Sequence, residues 1–219
     1  MIVNERMTSF INSYATADSE ALSELERYSL ETNVPIVRKE MQTLIKFLLA
    51  AHSPRSVLEV GTAIGFSAVL MAENLPGDSH ITTIEKYEKR IPVARENFKK
   101  VGYEDKITLL EGDATDILRE LEGSYDFIFM DAAKGQYINF FPDVMRLLSP
   151  GGILLTDNVM QEGDILESKF AVERRNRTIY KRMRDYLYEL THNDELTTVI
   201  LPIGDGVTIS TKKDLRNDK

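Results

Sequence analysis

Two short segments combine residue types and spacings that could do chemistry. FIFMDAAKGQY at 127–137 and GGILLTDNV at 151–159 are apolar runs that stop abruptly at acidic or amide oxygens. Asp131 ends the first; Asp157 and Asn158 end the second. A short β-forming run that stops at a carboxylate reads as a buried parallel strand delivering a polar group to its carboxyl end. In open α/β sheets, ligands bind along that edge. Neighbouring strands lie about 4.8 Å apart, so Asp131 and Asp157 at adjacent strand ends can share a cation. Oxygen-only donors suit Mg²⁺, which keeps positions open for substrate oxygens and water. Lys134, three residues past Asp131, places a base beside that point. Taken singly, each has a plainer reading that is favoured: Asp157-Asn158 as a turn or helix cap, Asp131 as a group that orients a cofactor, and Lys134 as a surface lysine. Their combination favours a site.

Such strand ends need a sheet to hold them, and the chain supplies the pattern of one. Apolar or β-rich runs occur at 56–60, 80–85, 106–112, 127–131 and 152–157, separated by helical stretches such as FSAVLMAENL, YEKRIPVARENFKKV, ATDILREL and INFFPDVMRLL. That alternation predicts a parallel sheet with right-handed crossovers. After a long helix near 170–191, ELTTVILPI and DGVTIST flank Gly204-Asp205-Gly206, predicting a terminal antiparallel hairpin. The fold class is therefore α/β, a Rossmann-like seven-stranded sheet of five parallel strands plus a C-terminal hairpin, with helices on both faces. Residues 1–50 read as a helical N-terminal cap on a single domain spanning 1–219. Asp18 or Ser19 would start a helix that Thr32 to Pro35 breaks, and a second would run through KEMQTLIKFLLAAH.

Three further strand ends read as a nucleoside site. Glu59-Val60-Gly61-Thr62-Ala63-Ile64-Gly65 follows the first strand, where glycines let backbone approach a ligand. Ala63 breaks the full dinucleotide fingerprint, and a plain tight turn is about as good a reading. Glu85 ends the second strand, where a carboxylate can accept from ribose hydroxyls, or simply begin a solvated helix. Asp113 ends the third, facing an adenine amino group or capping the next helix. All three at successive strand ends imply an adenosine-bearing ligand. The terminal hairpin and incomplete pyrophosphate loop favour S-adenosylmethionine over NAD.

Composition narrows the class. A chain of 219 residues with 42% hydrophobic content fits one globular domain. Absence of cysteine removes disulfides, thiolate zinc sites and cysteine nucleophiles, and three scattered histidines make no metal cluster. The first residues lack the pattern of a signal peptide and no run reaches membrane-spanning length, so a cytoplasmic location without membrane contact is expected. The net charge of −8 argues against nonspecific nucleic-acid binding while allowing a local basic patch.

The segments VLEVGTAIGFSA, MDAAKGQY, LLTDNV and LPIGDGVTIS resemble the metal-dependent O-methyltransferases of the catechol and caffeoyl-CoA type, from about residue 35 to residue 212. The resemblance implies Asp131, Asp157 and Asn158 as metal ligands and Lys134 as general base. It implies Glu85 on the ribose, Asp113 and Ala114 on the adenine, and Gly61 and Ser67 at the methionine end, with Asp131, Val37 and Glu59 as further cofactor contacts. A homodimer is also implied. The catechol enzymes carry aromatic and histidine side chains where this chain has Ala132 and Ala133, so the acceptor pocket is expected to be wider. The chemistry implied is in-line methyl transfer to a hydroxyl acidified by Mg²⁺, its proton passing to Lys134.

The region after DNV bears on the acceptor. From Lys169 to Tyr188 there are seven basic and two acidic residues, a local excess of +5 in a protein of −8. In one continuous helix, Arg174, Arg177, Lys181 and Arg184 form one stripe, and Ile179, Met183, Leu187 and Leu190 another that packs on the sheet. A solvated helix face is the plain alternative. Beside a predicted active site, phosphate binding gains weight. With the motifs above, the segment looks like the bacterial tRNA 5-hydroxyuridine methyltransferases, which implies a tRNA anticodon loop as partner and wobble 5-hydroxyuridine as acceptor. Its 5-hydroxyl and O4 form the vicinal oxygen pair that a catechol also offers, and anticodon loops splay their bases. A small-molecule acceptor, an acyl-CoA or a catechol, is the alternative. An NAD-dependent oxidoreductase and a noncatalytic adenosine-binding scaffold are weaker: the first conflicts with Ala63 and the hairpin, and the second gives no reason for three oxygen donors plus Lys134.

Overall fold

The computed structural model describes residues 3–214. Its strands are β1 (Ser56–Val60), β2 (His80–Glu85), β3 (Ile107–Glu111), β4 (Tyr125–Met130), β5 (Leu148–Thr156), β6 (Leu196–Leu201) and β7 (Val207–Lys212). The helices are α1 (Glu5–Asn12), α2 (Glu20–Thr32), α3 (Lys39–His52), α4 (Phe66–Asn74), α5 (Ile91–Lys100), α6 (Ala114–Glu120), α7 (Tyr137–Leu147) and α8 (Arg177–His192). The sheet has seven strands in the order β3-β2-β1-β4-β5-β7-β6. Pairing is parallel for β1 with β2, β2 with β3 and β4 with β5, and antiparallel where β7 meets β5 and β6. This is the expected Rossmann-like sheet with its terminal hairpin. The described residues form two compact units, one over 6–117 and the other over 118–214 with 3–5.

In the first unit, β1 and β2 are buried along nearly their whole length, as continuous apolar runs require of parallel strands. Helix α4 is buried from Phe66 to Ala72 and receives α2 and α3. Helix α3 turns Met41, Ile45, Leu48 and Leu49 inward, the spacing of an amphipathic helix. Ser19 caps α2, its hydroxyl accepting from the Leu22 amide at 3.1 Å. The other candidate cap, Asp18, instead pairs with Lys39 and, at 2.7 Å, Lys46, which ties the residue before the α2 cap to α3. Helix α5 begins at Ile91 rather than near Tyr87, because Pro92 lacks an amide donor and fits only the first turn.

In the second unit, β5 starts at Leu148, four residues before the expected 152, through an irregular Pro150-Gly151-Gly152 segment. The β4–β5 register jumps there, from Tyr125 opposite Leu148 to Phe127 opposite Ile153. A side chain at Gly152 would meet the Ser149 carbonyl at 2.9 Å, so glycine makes the irregularity possible. Helix α8 packs on α7, and the Tyr137 and Tyr186 rings meet edge to face at 5.6 Å. It starts at Arg177, not near residue 170, so the basic segment is not one continuous helix. The preceding chain forms 3-10 turns at Gln161–Leu166 and Arg174–Asn176, with Glu162 and Gly163 at positive φ. Its buried face is Tyr180, Met183, Tyr186 and Leu190; the expected Ile179 and Leu187 are only half-buried, the two tyrosines taking their places.

Candidate active site

In the first unit Glu85 meets the glycine-containing loop that follows β1. Glu85, at the end of β2, accepts from the Ala63 amide at 2.8 Å through one oxygen. Its other oxygen accepts from Lys86 and Tyr87 amides at 3.0 and 2.8 Å. A carboxylate offers about four acceptor positions, so about one is left for a ribose hydroxyl. Gly61 and Ala63 both sit at positive φ, 110° and 48°. For Ala63 the left-handed backbone costs about 1 kcal/mol, and the bond to Glu85 offsets it. Glu59 is fully buried and accepts from the Thr83 hydroxyl. Gly65 is needed for packing: a Cβ there would lie 2.4 Å from the Phe98 ring.

Asp113 realises the capping alternative. It accepts from the Thr115 amide at 2.9 Å, which together with Lys86 holds its carboxyl below the usual carboxylate range. It is exposed, and Ala114 opens α6. Val37 and Ser67 are both buried, the first just before α3 and the second in the first turn of α4.

The candidate metal ligands and Lys134 lie in the second unit. Met130 stands opposite Thr156 in the parallel β4–β5 pair, so Asp131 and Asp157 leave the sheet side by side. The Asp157 amide donates to the Met130 carbonyl at 3.0 Å. Asn158, at φ 60°, donates through its side chain to Asp131 at 3.3 Å and through its backbone to Asp157 at 2.7 Å. The Tyr137 hydroxyl lies 3.2 Å from the Ala132 carbonyl and 3.3 Å from that of Asp157, bracing both strand ends. Burial pushes the Asp131 carboxyl up, against the pull of Asn158 and Lys134. Burial, then the charges of Asp131 and Asp157, push the Tyr137 hydroxyl well above its usual range. This corner therefore concentrates negative charge where water is scarce.

Those observations test the cation reading. Among the described residues no group of three or more acidic, histidine or cysteine side chains could hold a metal. The candidate set has two carboxylates and an amide. It fits Mg²⁺, which is typically held by one or two carboxylates and completes its shell with substrate oxygens and water.

Lys134 opens the 3-10 turn after β4 and donates to Asp205 at 2.8 Å. Asp205, in the hairpin turn, carried no signal in the sequence beyond its flanking glycines. The basic residues divide. Lys169, Arg174, Arg177, Lys181 and Arg182 line an open cavity of about 520 Å³, with Asp185 the one acid on its wall. Arg184, expected in the same stripe, does not line it. Its guanidinium bonds the Ile165 carbonyl at 3.3 Å and the Tyr180 hydroxyl at 3.2 Å. Arg177 also bonds the Val172 and Phe170 carbonyls. Arg182 joins the cavity wall to the lysine's segment by donating to the Gly135 carbonyl at 3.1 Å. Lys169 lies outside the expected stripe because the turns before α8 bring it round, which no helical period predicts, and Arg182 because it follows Lys181 on α8, about 100° further round the helix.

Strand ends that carry carboxylates, a nucleoside loop after β1 and a closing antiparallel hairpin are the marks of a methyltransferase. The chain belongs to the O-methyltransferase family, whose sequence model matches residues 12–213. It is 30% identical over 208 residues to a caffeoyl-CoA O-methyltransferase of Medicago sativa, covering 88% of this chain and 81% of that one. It is 29% identical over 169 residues to a catechol O-methyltransferase of Niastella koreensis, covering 74% and 76%. The SAH-bound methyltransferase PaMTH1 of Podospora anserina superposes with a TM-score of 0.86 at 28% identity, covering 97% of each chain. The protein is an S-adenosylmethionine-dependent O-methyltransferase of the caffeoyl-CoA and catechol type. No helix among the described residues is long and apolar enough to cross a membrane.

Proposed function

We propose that the protein methylates a hydroxyl with a neighbouring oxygen in a phosphate-bearing acceptor, and that this acceptor is 5-hydroxyuridine in a tRNA anticodon loop. The observation that carries the reading is the open cavity of about 520 Å³ with five basic side chains, beside the segment of Lys134, in a protein of net charge −8. Phosphodiesters account for that concentration of charge, and a splayed base suits the room left by Ala132 and Ala133. A second reading, a caffeoyl-CoA or catechol acceptor, is favoured by the names of the relatives. A coenzyme A ester would use the same cations; a free catechol would leave them idle.

In this reading Asp131, Asp157 and Asn158 would hold Mg²⁺, which when bound would supply a Lewis acid that lowers the pKa of the acceptor hydroxyl. Lys134 takes the hydroxyl proton. Glu85, Asp113 and Ala114 hold the adenosine, and Val37, Glu59, Gly61, Ser67 and Asp131 the methionine end. Arg174, Arg177 and Lys181 hold phosphates, joined by Lys169 and Arg182, while Arg184 braces the loop. A homodimer and a cytoplasmic location belong to the same proposal. Mass spectrometry of tRNA nucleosides from a deletion strain tests the acceptor. Accumulated 5-hydroxyuridine with lost 5-methoxyuridine supports tRNA; an unchanged profile, with turnover of caffeoyl-CoA or a catechol by the pure protein, selects the second reading.

A further inference from the structure

An acid between two glycines in a hairpin turn is ordinarily solvated, yet Asp205 has a side chain only 4% exposed. A buried carboxylate must be paired and hydrogen-bonded, and both of its oxygens are. One accepts from Lys134 Nζ at 2.8 Å, the other from the Glu162 amide at 2.6 Å. The turn is fastened to the chain just after the candidate ligands. Met160 N donates to the Asp205 carbonyl at 2.8 Å and Val159 N to the Gly206 carbonyl at 3.0 Å. A Cβ on Gly206 would fall 2.0 Å from Met160, so the two segments are in full contact. Lys134, by contrast, is 30% exposed on a flexible four-carbon stem.

We infer that Asp205 is a positioning residue of the methyl-transfer site: it aims the Lys134 amine and stabilises the ammonium that forms when the acceptor proton arrives. The inference rests on Lys134 being the proton acceptor. The acceptor O–H bond breaks and an N–H bond forms on Lys134. The electron pair left on oxygen attacks the sulfonium methyl, and the C–S pair goes to sulfur. Asp205 keeps its charge throughout, in the manner of a carboxylate that orients a catalytic base and matches its new positive charge. The same carboxylate fixes Glu162, held at φ 55°, so lysine and loop are set together.

The test is a double-mutant cycle on the full chain, with tRNA containing 5-hydroxyuridine and caffeoyl-CoA offered separately as acceptors. Asp205→Asn keeps an oxygen for the Glu162 amide and removes the charge. We expect kcat to fall by about tenfold or more, with S-adenosylhomocysteine affinity and melting temperature near wild type. Added to Lys134→Gln, it should cost no further rate, because its effect passes through the lysine. Should Asp205→Asn not fold, Asp205→Ser takes its place. Wild-type kcat in the Asp205 variant, or losses that multiply in the double variant, overturn the inference while the lysine reading stands. Wild-type activity of Lys134→Gln, or no turnover of either acceptor, overturns the reading beneath it.

Discussion

Replacing Lys169, Arg174 and Lys181 together by alanine gives the sharpest test of the basic cavity. All three are exposed and line its wall, and their side chains make no hydrogen bond or ion pair with other described residues, so their removal leaves the fold unburdened. If each neutralises one phosphate of a single-stranded loop, the slope of log K against log salt falls by roughly 0.7 per contact, or about 2 in all. Since that term vanishes near 1 M salt, the same slope means about a hundredfold weaker binding at about 0.1 M. Fluorescence anisotropy with an anticodon stem-loop, repeated across salt concentrations, reads both quantities; calorimetry with S-adenosylhomocysteine shows that the cofactor site is intact. Arg184→Ala is the control. Its guanidinium holds the Ile165 carbonyl and Tyr180 hydroxyl, so it should lower the melting temperature and leave the slope alone. A triple variant with the wild-type slope, or an Arg184→Ala slope reduced as much as one phosphate contact requires, refutes the assignment.

Asp18→Asn should destabilise the protein by about 2–4 kcal/mol by leaving Lys39 and Lys46 without their shared partner, a drop of roughly 5–15 °C in thermal melts. Burial raises the Asp18 carboxyl, but the two lysines together hold it below its usual range. Its contribution is therefore present above an unfolded value of about 3.9 and lost as pH falls through the folded one, so the melting gap should close in acid; a gap that persists there would count against the pairing. Tyr137→Phe removes the hydroxyl shared by the Ala132 and Asp157 carbonyls and should cost about 1–2 kcal/mol, with kcat falling because both strand ends loosen; denaturant unfolding beside steady-state kinetics would show whether either is unmoved. EDTA, or Asp157→Ala, should abolish methyl transfer without changing S-adenosylhomocysteine affinity, and full activity in EDTA would sink the Mg²⁺ reading.

The strand ends were legible because a buried parallel strand admits few polar residues. A carboxylate in such a run either finds a buried partner, as Glu59 does with Thr83 inside β1, or stands at the strand's end, and the β4–β5 register sets Asp131 beside Asp157 as that logic requires. The bounds of α3 and the hairpin followed from apolar spacing and from glycine in the same way. What escaped were features whose partners are backbone groups. Every residue carries a carbonyl, so nothing in the sequence marks Ile165 or Phe170 as the acceptor that draws Arg184 or Arg177 out of a solvated stripe. Asp205 escaped for the opposite reason: an acid in a glycine turn has a sufficient local explanation, and only the approach of Lys134 gives it another. The candidate site was legible as a set of residue types, because carboxylates, an amide and a lysine at strand ends stand out against apolar runs.

The loop that follows Asp157 carries Asn158, Gln161 and Glu162 at positive φ, at 60°, 50° and 55°. Three side-chain-bearing residues do not adopt that backbone unaided. The groups that hold the loop there, the Asp205 carboxylate and the carbonyls of Asp205 and Gly206, come from the hairpin, and Asp205 follows Glu162 by 43 residues. On the ribosome, the end of β5 that carries Asp157 and Asn158 is thus made well before its clasp. A nascent or truncated chain without its last two strands would carry Asp131, Lys134, Asp157 and Asn158 but lack Asp205 and the carbonyls that shape the loop beside them, so activity is expected only once the final strands are made.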